Sequence, residues 1–122
     1  MNPTPSREAL LEDLARLGVK HTPDKIVAIG RNEAGTIVFL EQGNARAGLE
    51  HIVLQHVEDF AKRGIAVERI PDAVLKAATE GVQIAIQGTR PVYEVEFDGR
   101  THLIAVTVGI NGFIVGANPA TR

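Results

Sequence analysis

The chain of 122 residues contains no cysteine and no tryptophan. Without cysteine there is no disulfide framework, no zinc–thiolate site and no thiol nucleophile. A domain of this size then holds together on its apolar core alone, which its length permits, and it is indifferent to the redox state of its compartment. Aromatics are scarce, four phenylalanines and one tyrosine, so base stacking has few platforms from which to read a nucleotide sequence. No apolar run approaches the ~20 residues of a membrane span, and the N-terminus lacks a signal-peptide hydrophobic region. A basic excess is missing as well. The net charge of −2 argues weakly against nucleic-acid binding, although a local patch is what meets phosphates. Lys62, Arg63, Arg69, Lys76, Arg90 and Arg100 are the candidates for such a patch.

What is present reads as one globular domain over residues 1–122. A 44% hydrophobic and 23% charged composition is that of an ordinary globular protein. Residues 1–5 (MNPTP) read as a disordered lead-in. Ser6 caps a helix with a stripe of Leu10, Leu11, Leu14 and Leu17, and Gly18 ends it. Runs 25–29 and 36–40 are β-rich and flank a hairpin signature at 30–35. A second helix is predicted over about 45–62, with apolar positions 49, 52, 53, 57 and 60 at helical spacing. A third starts at Pro71-Asp72 and closes at Gly81. Strands are predicted at 82–87, 91–97, 101–108 and 113–116, with two-residue turns at Asp98-Gly99 and Asn111-Gly112. The expected fold is therefore α+β, with N-terminal helices packed on a four-stranded antiparallel sheet.

The Asp98-Gly99 turn also predicts the pairing of its strands. Phe97 faces Arg100, Val95 faces His102, Tyr93 faces Ile104, and Arg90 faces Thr107. Opposed residues share a face and faces alternate. One face, with Tyr93, Val95, Phe97, Ile104, Val106 and Val108, reads as a core face for the second helix to cover. The other is half polar and ends in the Arg90–Thr107 pair. A guanidinium presents a rigid fork of donors suited to phosphate oxygens, and the threonine hydroxyl can donate to the same anion. Without an anion the pair is a cross-strand contact on a solvated sheet.

Histidine titrates near neutrality and can both take and give protons. Two of the chain's four histidines, His51 and His56, fall within six residues of the second helix. His56 lies on the apolar stripe, where a histidine is commonly a core residue. His51 lies about 140° around the axis, so a joint site needs it to reach around the helix start. The spacing is not that of a zinc-binding HExxH helix and no third ligand is evident, so neither a metal nor another cofactor is expected. His21 and His102 read as structural.

The runs GLEHIVLQHVEDFAKRGI and RPVYEVEFDGRTHLIAVTVGINGFIVGANP resemble toxin domains at the ends of bacterial exoproteins. These belong to contact-dependent growth inhibition and related polymorphic toxin systems of the CdiA or filamentous-haemagglutinin type. The likeness covers about residues 19–118 through the motifs GLxHIxxxH, RPxYEVxF and TVGxNGFIVGANP. It implies a barnase/EndoU/colicin/RelE-like fold and an endoribonuclease acting on tRNA without metal. It further implies release from an exoprotein into a target-cell cytoplasm and a cognate immunity protein as partner. Carried onto matching positions, His51 and His56 become the acid–base pair, Arg90 the phosphate clamp and Thr107 its orienting partner, with Tyr93 a secondary candidate. A catalytically silent binding module on the same scaffold is the alternative. A metal-dependent DNase is a third reading, disfavoured by the lack of clustered ligands.

Overall fold

A computed structural model describes residues 6–121; the lead-in expected at 1–5 lies outside them. Helix α1 (Arg7–Arg16) starts where Ser6 Oγ accepts the Ala9 amide at 3.1 Å, and Leu10 and Leu14 are its buried residues. They pack on Ile26, Ile37 and Phe39 of a two-stranded antiparallel sheet, β1 (Ile26–Arg31) and β2 (Ile37–Glu41). Helices α2 (Leu49–Lys62) and α3 (Ile70–Glu80) follow. A meander of β3 (Val82–Gln87), β4 (Arg90–Phe97), β5 (Arg100–Val108) and β6 (Ile114–Pro119) completes the chain in the order β3-β4-β5-β6. The fold is α+β, as expected. Among the described residues no helix is long and apolar enough to cross a membrane.

The start of α2 departs from the sequence reading. The helix begins at Leu49 rather than at 45 because Gly48 takes φ 85°, ψ −163°, a conformation open essentially to glycine. Ahead of it Asn44 and Ala47 close a tight turn, the Asn44 amide donating to the Ala47 carbonyl at 2.9 Å. The Gly48 amide donates to Val115 O at 3.0 Å and ties the helix start to β6. His51 thus sits in the first turn of α2, beside β6.

The predicted β4–β5 register is the observed one: Phe97 pairs with Arg100, Val95 with His102 and Tyr93 with Ile104. Asp98 (φ 49°) and Gly99 (φ 80°) both have positive φ, as a two-residue turn of this type requires. The second turn differs. Only Gly112 has positive φ (91°), and Gly109 and Phe113 close a three-residue loop through a 2.8 Å hydrogen bond. An irregularity between Thr107 and Val108 absorbs the extra residue, so Thr107 pairs with Gly116 and Ala105 with Asn118. Strand β6 runs on to Pro119 instead of stopping at 116.

The core face is also shared differently. Helix α3 lies over β4 and β5, while α2 runs against β6. Phe60, Ile52, Val74, Ile104 and Val106 meet in one fully buried cluster. On the opposite face Val92, Ala105 and Ala120 form a small second cluster next to the polar end of the sheet.

Candidate active site

Arg90 opens β4, and its side chain spans three strands. Its Nε donates to Thr107 Oγ1 at 2.7 Å and its Nη1 to Asn118 Oδ1 at 2.8 Å. Asn118 is oriented in turn, because its Nδ2 donates to Gln87 Oε1 at 3.1 Å and to Pro119 O at 2.8 Å. The amide oxygen is thereby turned toward the arginine. Both acceptors of Arg90 are neutral, and no carboxylate of the described residues pairs with it. Its pKa is lowered, and burial is the cause. A guanidinium in such a place stays charged. Among the described residues it is a half-buried cation without a counter-ion. Thr107 Oγ1 already accepts from Arg90, which leaves its own proton to donate outward.

Gly116 of β6 lets a second group approach. A Cβ there would lie 2.9 Å from Arg90 Nη2 and 3.6 Å from His51 Cδ2, so the histidine ring and the guanidinium flank the same bare stretch of backbone. His51 Nδ1 is 3.0 Å from the Ala45 carbonyl. A carbonyl only accepts, so Nδ1 carries the hydrogen, and in the neutral ring Nε2 holds a free lone pair. The loop that Gly43 and Asn44 shape ahead of α2 therefore sets the tautomer of His51. Here a Cβ on Gly43 would fall 2.0 Å from the Ala47 carbonyl oxygen.

His51, Arg90 and Thr107 are thus brought together. His56 is not drawn into this cluster. It stands about 7.5 Å further along the axis and about 140° around it, with Nδ1 3.0 Å from Asp59 Oδ2. Tyr93 is placed on the other side of the sheet. It pairs with Ile104 and packs against the main core, whereas Arg90 and Thr107 share the opposite face. Face alternation makes a Tyr93 contact with Arg90 and Thr107 geometrically unavailable. Sequence reasoning misses Asn118 because it ends the last strand at 116, and Gly116 because it does not carry the register past the Asn111-Gly112 turn. Carrying the register through the Asn111-Gly112 turn would already set Gly116 against Thr107.

Among the described residues no group of three or more His, Asp or Glu is placed to hold a metal ion. The arrangement offers instead an oriented cation, a hydroxyl donor and an imidazole with a free lone pair. That set can bind a phosphate and move a proton beside it. No protein-family model and no curated protein matches this chain.

Proposed function

We propose that the protein is an endoribonuclease that cleaves RNA through attack of the ribose 2′-hydroxyl on the adjacent phosphate. The observation that carries this reading is the Nε2 lone pair of His51 beside a half-buried arginine with no carboxylate partner among the described residues. In this reaction His51 takes the 2′-hydroxyl proton, the 2′-oxygen–phosphorus bond forms and the phosphorus–5′-oxygen bond breaks. The products are a 2′,3′-cyclic phosphate and a 5′-hydroxyl end. Arg90 and Thr107 hold the phosphorane oxygens where charge builds up, the largest service a preorganised site renders. The departing 5′-oxygen takes its proton from water, since His56 stands on another side of α2 from the phosphate held at Arg90. The chemistry asks for no metal. The resemblance to exoprotein toxin domains makes tRNA the substrate class, an immunity protein the partner and the cytoplasm of a target cell the place of action.

The test is digestion of total tRNA in EDTA with end-group analysis, beside His51→Ala and His56→Ala. Cyclic phosphate and free 5′-hydroxyl ends are expected, with a loss of about 10²–10⁴-fold in His51→Ala, the usual worth of a general base. Little loss is expected in His56→Ala, since His56 stands outside the cluster. Absence of cleavage by folded wild type would shift the reading to a binding module.

A further inference from the structure

Of the six basic residues that the sequence offers as a patch, two are neutralised or engaged elsewhere. Arg69 is bound by Asp98 and Asp72, and Lys76 donates to the Glu96 carbonyl. Three of the others converge away from Arg90. Lys62 and Arg63, at the C-terminal end of α2, and Arg100, at the start of β5, line a cavity of about 500 Å³ together with His102 and Ala120. Arg63 is held in place by donating to Ala120 O at 3.1 Å. Among the described residues none of the three cations pairs with a carboxylate, and no acidic one lines the cavity.

The cavity and the Arg90 site stand on one strand. Gly116 and Asn118 of β6 belong to the first site, and Ala120, just past the end of β6, belongs to the cavity. Four residues of extended chain separate Gly116 from Ala120, about 13 Å. A single strand of RNA held at Arg90 would bring another of its phosphates over that distance within a few nucleotides. Like charges gathered without counter-ions repel one another and gain from an anion that joins them. Binding without sequence preference to a backbone is what such a cluster does.

We propose that this cavity is a second phosphate-binding subsite, which takes a backbone phosphate of the same RNA strand whose scissile phosphate lies at Arg90. The proposal rests on the ribonuclease reading for the identity of the strand, but its chemistry is independent of cleavage. His102 is the built-in reporter. Its pKa is lowered by burial first, then by the nearby charges of Arg100 and Arg63, with Asp98 opposing them. An anion seated between those arginines reverses their push and raises it.

The experiment is an NMR titration of the histidine ring signals in the full chain, with inorganic phosphate and, separately, with a short 2′-O-methyl oligoribonucleotide that cannot be cut. Both ligands are expected to shift the His102 signals and raise its pKa. A Lys62→Ala/Arg100→Ala double variant is expected to lose that response. Its oligonucleotide affinity should also fall less steeply with salt, the log–log slope shrinking by about 0.7 for each phosphate no longer neutralised. A Lys62→Glu/Arg100→Glu variant, checked for an unchanged fold by its amide spectrum, should bind the oligonucleotide more weakly still. An oligonucleotide that binds without moving His102, or an unchanged salt slope in the double variant, overturns the proposal. A response to inorganic phosphate but not to the oligonucleotide overturns the assignment to RNA. If His102 responds to both but no RNA is cut, the subsite stands and the ribonuclease reading falls.

Discussion

An arginine stands at each end of the β4–β5 ladder, and the two are held by opposite kinds of partner. At the turn, Arg69 grips Asp98 with two hydrogen bonds of 2.8 and 3.1 Å, reaches Asp72 at 2.8 Å and stacks 4.8 Å over the Phe97 ring. Its pKa is raised, first by the hydrogen bond to Asp98, and the Asp98 carboxyl is held below its usual range by the same bond. At the far end, Arg90 makes two hydrogen bonds of similar length, but to a hydroxyl and an amide. Geometry alone would not separate them. Charge compensation does. The charge of Arg69 is used inside the fold, while Arg90 is positioned by neutral groups and no carboxylate of the described residues compensates it.

That contrast can be broken directly. Arg90→Ala should lower RNA cleavage by about 10²–10³-fold, the usual loss when one stabiliser of transition-state charge is removed. Arg69→Ala should leave the cleavage rate as it is and lower the melting temperature slightly. Equal rate losses in the two variants would sink the distinction. A finer probe is Gly116→Ala, which adds only a methyl group. Its Cβ would press within 2.9 Å of Arg90 Nη2, where Nε and Nη1 are already pinned. Cleavage should drop by about 10- to 100-fold through misplacement, with an unaltered melting curve.

The smallest effects concern pH. Asp98 has a folded pKa below its unfolded value, so the stability it brings is present above about pH 3.9. That contribution is lost as the pH falls through the folded value. Acid unfolding of Asp98→Asn, followed by circular dichroism, should lack that part of the slope. His102 works the other way round. Its folded pKa lies below the ordinary histidine value, so the fold disfavours its protonation and stability declines as the pH drops through about 6.5. His102→Gln should flatten that decline; an unchanged profile would show that another group governs it.

Much of the site is legible in the sequence. The Arg90–Thr107 pairing follows from a two-residue turn and a strand period of two, both local rules. By the same rules Tyr93 belongs on the core face, which is where it lies. The start of α2 is harder, because helical apolar spacing runs on smoothly through residues whose backbone is bent by Gly48 and by the Asn44–Ala47 turn. Asn118 escapes because a strand ending in a proline gives no outward sign of continuing.

The sequence by itself determined the order of the elements, the Asp98-Gly99 turn and the β4–β5 register, since each depends on residues close along the chain. Only the tertiary structure decided that His51 rather than His56 would meet Arg90. That choice depends on the Gly48 amide reaching Val115, on the bare backbone at Gly116, and on which side of α2 is turned to β6. These are contacts between segments more than fifty residues apart, and no local periodicity encodes them.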